Sequence, residues 1–163
     1  MSNNGFHVGR QECNSAAEAG NLEIVKSLYK NGLELNQETC RYAASGGQLE
    51  ILKYLHDIGL AFRDEWSCRQ AAYNGHLEVL KYLHEMGCSW SVEAFRAASQ
   101  KGYLEIVKFL CENGCPWDVL TCSYAAGRGH LEVVKYLHEN GCPWDTGDTP
   151  VNPHLCIESF EGG

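Results

Sequence analysis

Apolar residues recur along this chain in a stripe that returns every 27 or 28 residues. Each repeat contains a Gly-x-Leu-Glu string, and we number the repeat from its glycine as position 0. Positions +2, +4, +5 and +8 are apolar in every repeat, a spacing typical of the buried face of an α-helix. The five glycines at position 0 are Gly20, Gly47, Gly75, Gly102 and Gly129. A fixed period of this length predicts a chain of stacked copies of one small structural element.

Each repeat predicts two helices. A second glycine at position +12 is expected to end the helix that carries the apolar stripe, in the left-handed conformation. Position −11 holds Asn36, Asp64, Ser91 or Asp118, each a good N-cap for the helix that follows. That helix is rich in alanine, so its neighbours can approach closely. One such pair cannot bury its own apolar face, so we predict an all-α helical solenoid of five stacked helix pairs.

The Ala-Ala-x-x-Gly-His-Leu-Glu-Val-Val-Lys-x-Leu string at Ala125 to Leu137 resembles the core of the ankyrin repeat. The resemblance implies five ankyrin-like repeats over residues 10–145, between an N-terminal capping segment (1–9) and a C-terminal capping segment or tail (146–163). Ankyrin repeats usually run for about 33 residues, so the shorter period implies that the β-hairpin fingers are shortened or absent. The Gly-Cys-Pro-Trp-Asp strings at 114–118 and 141–145 are similar to divergent short-repeat ankyrin arrays of giant viruses and protists.

Charge and hydropathy limit the classes of partner and the cellular location that we expect. The formal net charge is −8, so binding to nucleic acid or to an anionic membrane surface is not expected. No apolar run approaches the ~20 residues of a membrane span, and the first residues lack the apolar core of a signal peptide. We therefore expect an intracellular, cytoplasmic protein, in the host cell cytoplasm if its origin is viral. Polar outer stripes and capped ends predict a monomer.

Nine cysteines raise the question of metal or redox chemistry. Seven of them stand at positions −7 and +13, where other repeats carry leucine or phenylalanine, so we expect them to be buried as small apolar residues. Equivalent positions in stacked helices lie about 8–10 Å apart, too far to converge on one zinc ion. The sequence thus predicts no metal and no cofactor. The alternative, a metal- or redox-responsive structural protein that uses its cysteines, stays open.

Catalytic motifs are not apparent in the sequence. We find no carboxylate pair, glycine-rich phosphate loop or nucleophile elbow outside the repeated positions, so no catalytic residue is assigned and an enzyme is not expected.

The resemblance implies that the first helix of each pair lines a concave groove that binds a partner protein. The residues that vary on these helices, at positions −6, −2 and −1, are therefore the candidate contacts, together with a tryptophan at position −9. They are Arg41, Trp66, Arg69, Tyr73, Arg96, Gln100, Lys101 and Arg128. A ladder of arginines on an acidic chain predicts an acidic partner segment. The alternative is that Glu38, Glu65 and Glu93, three or four residues earlier, neutralise the arginines.

One residue is a candidate for modification. Asn36 follows Glu34-Leu35 and lies eight residues after Leu28. This pattern is similar to the one that asparagine-hydroxylating oxygenases modify in ankyrin repeats. A role as helix N-cap explains Asn36 equally well.

Overall fold

The computed structural model describes residues 4–142, and the side chains from residue 9 onward. Within this range the chain forms ten α-helices and no β-strand. They are α1 (Asn4–Ala19), α2 (Leu22–Lys30), α3 (Gln37–Ser45), α4 (Leu49–Asp57), α5 (Glu65–Asn74), α6 (Leu77–Glu85), α7 (Val92–Lys101), α8 (Leu104–Glu112), α9 (Val119–Gly127) and α10 (Leu131–Glu139). The all-α fold without hairpin fingers is therefore confirmed for these residues. The predicted C-terminal segment, 146–163, lies outside them.

The chain forms two compact units, Met1–Trp90 and Ser91–Gly163, which we call the N-terminal and C-terminal units. In the N-terminal unit α1, α3 and α5 pack side by side, and each contacts the helix that follows it in the chain. In the C-terminal unit α7 packs on α9 and α8 on α10, with the same contacts within each pair. Helix pairs therefore stack within each unit as the period predicts.

The first helices begin at the predicted N-caps. The Asn36 side chain accepts a hydrogen bond from the Glu38 backbone N–H at 2.9 Å, and Asp64 accepts one from the Ser67 backbone N–H at 3.1 Å. Asp118 forms a reciprocal capping box with Thr121. These bonds satisfy backbone donors that a helix start otherwise leaves without a partner.

The core of each unit comes from the repeated apolar positions. The leucines at position +8 in α4, α6, α8 and α10 are fully buried. The alanine at position −4 is buried in every repeat, with no exposure from the second repeat onward. Such small side chains let the first helices approach closely. Burial of one leucine side chain stabilises a fold by about 1.5–3 kcal/mol, so the buried leucines at position +8 contribute much of the stability of each unit.

Histidines at position +1 of the third and fifth repeats lie against the position 0 glycine of the preceding repeat. Gly47 has φ +73°, and a Cβ added there would lie 2.5 Å from Nδ1 of His76. The Nε2 atom of His76 is 2.9 Å from the carbonyl oxygen of Ser45. The same arrangement recurs in the C-terminal unit between Gly102 and His130. These histidines therefore join neighbouring repeats within each unit.

Candidate functional site

The first helices of the N-terminal unit share a face that contains two adjoining cavities. The cavity between α3 and α5 has a volume of about 330 Å³ and the one between α1 and α3 about 440 Å³. The first is lined by Glu38, Arg41, Tyr42, Ser45, Trp66 and Gln70. The second is lined by Arg10, Gln11, Asn14, Ser15, Glu38 and Tyr42. Glu38 and Tyr42 line both cavities, so the two cavities lie next to each other, and we call them together the N-terminal groove.

Large aromatic side chains are exposed on this face. The exposed fractions are 38% for Tyr42, 43% for Trp66 and 40% for Tyr73. Trp66, Gln70 and Tyr73 follow one another at steps of four and three residues, so they lie on one side of α5. Trp66 and Tyr73 were predicted as contacts, whereas Tyr42 and Gln70 at position −5 were missed. Their place on the same helix face as positions −9 and −2 was the signal that would have identified them.

Arg41 is held by an aspartate from the next repeat. Its Nε atom donates to Oδ2 of Asp64 at 2.7 Å, and the Asp64 side chain is only 21% exposed. The same carboxylate caps α5 through its other oxygen. Asp64 belongs to the next repeat, so this ion pair was not among the pairings with glutamates of the same helix that the sequence suggested. The charge of Arg41 is therefore largely compensated within the protein.

Arg69 differs from Arg41 in its surroundings. Its guanidinium carbon lies 4.8 Å from the centroid of the Trp66 ring, a cation–π contact one helical turn apart on α5. Among the side chains that the structure describes, none forms an ion pair with Arg69. At the edge of the N-terminal groove, Trp66 thus offers an exposed aromatic ring, and the Arg69 guanidinium lies over that ring without an ion pair among the residues described.

The third arginine of the predicted ladder, after Arg41 and Arg69, is Arg96, which lies in the C-terminal unit. Arg96 forms ion pairs with Glu93 on its own helix and with Asp118, the N-cap of α9. The hydrogen bond from Arg96 holds the pKa of the Asp118 carboxyl below its ordinary value and raises the pKa of Arg96. The alternative, in which glutamates neutralise the arginines, therefore applies to Arg96. Glu93 is one of its two acidic partners.

The other candidates of the C-terminal unit lie near helix ends. Lys101 ends α7 and Arg128 follows α9, and both are exposed. Gln100 is half-buried, and its backbone carbonyl is 2.9 Å from Nε2 of His130. On α9, Leu120 and Tyr124 are each 41% exposed. Since they are four residues apart, they form a small apolar surface, which was not predicted from the sequence.

Asn36 occupies the N-cap of α3 and is half-buried. Its side-chain oxygen accepts from two backbone N–H groups, at 2.9 Å and 3.4 Å. The capping role is therefore present, and hydroxylation of Asn36 stays a prediction.

The seven cysteines at positions −7 and +13 are all buried, as predicted. The sulfur atoms of these two positions also meet, which was not predicted. Cys122 and Cys142 are joined by a disulfide, and the sulfur atoms of Cys68 and Cys88 are 3.0 Å apart. Position −7 contacts position +13 of the same repeat, a pairing that a comparison of equivalent positions in successive repeats does not include.

Residues 4–142 contain neither a cluster of metal-ligating side chains nor a membrane-spanning helix. No group of three or more histidine, cysteine, aspartate or glutamate side chains among them is placed to hold a metal ion. None of the helices described is long and apolar enough to cross a membrane.

The stacked helix pairs, their shared caps and the groove on the first helices define a helical-repeat scaffold. A family model described as "Ankyrin repeats (3 copies)" matches residues 13–94, 41–121 and 69–147, so the chain belongs to the ankyrin-repeat family. Ankyrin repeats are in general protein–protein interaction modules.

Solved structures agree with this assignment. The crystal structure of the human ASB11 ankyrin repeat domain is similar, with a TM-score of 0.68 and 21% sequence identity. The match covers 80% of this chain and 69% of that one, and it shows the shared fold. A comparison with curated proteins found no match.

Proposed function

We propose that this protein is a binding module that takes a short segment of a partner protein in the N-terminal groove. The observation that carries the proposal is the exposure of Tyr42, Trp66 and Tyr73 on one face beside a cavity of about 330 Å³. Aromatic and arginine side chains dominate the energetics of protein interfaces. Exposed aromatic clusters of this kind are typical of contact surfaces.

The groove favours a segment with one apolar anchor next to a carboxylate. The anchor would fill the cavity beside Tyr42 and Trp66. The carboxylate would pair with Arg69, whose guanidinium can bind it in a bidentate manner. Since Arg41 is already paired with Asp64, one acidic residue fits this surface better than the series of acidic residues that an arginine ladder suggests.

Selection of peptides from a displayed random library tests this proposal with purified protein. We expect enriched peptides to share an aromatic or aliphatic residue within a few positions of aspartate or glutamate. Their affinity should fall as salt rises, because part of the attraction is ionic. Peptides enriched instead in lysine and arginine would contradict the proposed chemistry.

Variants that copy residues from other repeats separate binding from folding. Trp66→Glu places at position −9 the residue found in the second and fourth repeats, and Arg69→Asn copies Asn14. Truncation of an interface hot spot typically costs about 2 kcal/mol or more, so we expect each variant to weaken a selected peptide at least tenfold.

The control is Glu78→Gln, on the exposed outer helix α6. It should bind as the unmodified protein does, and melting curves should show all three variants folded. If folded Trp66→Glu and Arg69→Asn both keep full affinity, the N-terminal groove is not the binding site.

A further inference from the structure

Two repeats carry a cysteine at both position −7 and position +13. In the fifth repeat these are Cys122 and Cys142, which form a disulfide. In the third repeat they are Cys68 and Cys88, whose sulfur atoms touch at 3.0 Å. We propose that Cys68 and Cys88 are a second disulfide-forming site, which hydrogen peroxide oxidises in the folded protein.

The fold presents these two sulfur atoms to each other. Cys68 lies on α5 and is fully buried. Cys88 follows Gly87, where the chain leaves α6, and is 4% exposed. The Cys88 sulfur is also 3.0 Å from the carbonyl oxygen of Asp64, at the start of α5. Disulfide formation needs the sulfur atoms to approach by about 1 Å, since an S–S bond is ~2.05 Å long.

The hydrogen bond between the sulfur atoms also assigns their roles. Cys68 donates to Cys88, and this bond lowers the pKa of the Cys88 thiol although burial acts in the opposite direction. Thiolate is the reactive form of cysteine. Cys88 is also 4% exposed whereas Cys68 is fully buried, so Cys88 is the sulfur that peroxide reaches first, and Cys68 is the one that resolves the intermediate.

The reaction proceeds in two balanced steps. The Cys88 thiolate attacks one oxygen of hydrogen peroxide, the O–O bond breaks, and a sulfenic acid and hydroxide form; the hydroxide takes a proton to become water. Cys68 then attacks the Cys88 sulfur as its own proton leaves, the S–S bond forms and the S–O bond breaks with release of a second water. Two thiols thus lose two electrons and two protons, and one peroxide is reduced to two waters.

Neighbouring repeats lack the complete pair. The second repeat has Cys40 but Leu60 at position +13, and the fourth has Cys115 but Phe95 at position −7. Burial raises the pKa of both Cys40 and Cys115 to about 12. The site is in the core rather than in the N-terminal groove, so this proposal stands or falls independently of partner binding.

Peptide mapping of the whole chain tests the site. The protein is reduced, freed of reductant, treated while folded with hydrogen peroxide, alkylated in denaturant and digested. We expect a peptide linked through Cys68 and Cys88, with a mass about 2 Da below the sum of the two thiol peptides, and its loss on renewed reduction. Peroxide treatment that leaves Cys68 and Cys88 both alkylated would overturn the proposal, as would a link from Cys88 to Cys40.

Variants give a second, independent test. Cys88→Leu copies Leu60 at the same position, and Cys115→Leu makes the same change in the fourth repeat as the matched control. Relative to the unmodified protein, Cys88→Leu should spare the Cys68 thiol from peroxide, whereas Cys115→Leu should leave the Cys68–Cys88 link unchanged. Equal loss of the Cys68 thiol in both variants would contradict the pairing.

Discussion

The Asp64 carboxylate connects two repeats. Substituting Asp64 can therefore separate the stability contributed by an N-cap from that contributed by an ion pair. One carboxylate oxygen caps α5 by accepting from the backbone N–H and the hydroxyl of Ser67, at 3.1 Å and 2.9 Å. The other accepts from Arg41 on α3 at 2.7 Å. Asp64→Asn keeps a capping oxygen but removes the negative charge, whereas Asp64→Ala removes both.

The expected magnitudes follow from the exposure of the groups. Loss of an N-cap costs about 0.5–2 kcal/mol. The ion pair is worth about 1 kcal/mol or less, because the Arg41 side chain is 43% exposed and solvent screens the attraction. We therefore expect Asp64→Asn to lower the free energy of unfolding by about 1 kcal/mol or less, and Asp64→Ala by about 1–3 kcal/mol.

Urea denaturation of both variants measures these differences. Arg41→Gln, alone and combined with Asp64→Asn, completes a double-mutant cycle that isolates the ion pair, with an expected coupling of about 0.2–1 kcal/mol. If Asp64→Asn destabilises as much as Asp64→Ala, the charge and not the cap carries the effect, and this reasoning is wrong. A coupling of zero would show that the ion pair contributes nothing to folding.

Two further predictions concern a glycine and the thiols. Gly47→Ala should lower the free energy of unfolding by at least ~1 kcal/mol more than Gly59→Ala, since both have positive φ but only Gly47 faces a histidine ring within 3 Å; equal losses in urea would contradict this. In alkylation of the reduced, folded protein near pH 8, Cys111, the only half-buried cysteine among residues 9–142, should react first. Cys40, whose pKa burial raises to about 12, should react only on unfolding. Because its ordinary value is near 9, the stability that its neutral thiol contributes is present below pH 9 and is lost as pH rises toward 12. Equal alkylation rates in the folded state would contradict the burial of Cys40.

The sequence was sufficient for those parts of the fold that depend on one repeat. Glycine at positions 0 and +12, the N-caps and the buried leucines are local signals, and each repeats often enough to be recognised. The burial of the seven cysteines followed from the leucine and phenylalanine found at the same positions. Trp66 was singled out because nothing at its position required burial, and its side chain is indeed exposed.

Contacts between residues at different positions of the repeat could not be predicted in the same way. The pairing of Arg41 with Asp64 depends on how closely α3 and α5 pack, and on where the chain enters α5. The approach of Cys68 to Cys88 depends on the path of the chain after α6. A repeated sequence pattern shows which positions are equivalent. It does not give the distances between positions that are not equivalent.

The most direct test of the proposed function is to map a bound peptide on the protein by NMR. A peptide selected as above is titrated into isotope-labelled protein, and chemical-shift changes are assigned to residues. The proposal predicts that the largest changes occur on α3 and α5, at the backbone of Tyr42 and Gln70 and at the indole N–H of Trp66. Changes confined to the outer helices, or to Leu120 and Tyr124 of the C-terminal unit, would contradict the assignment of the N-terminal groove as the binding site.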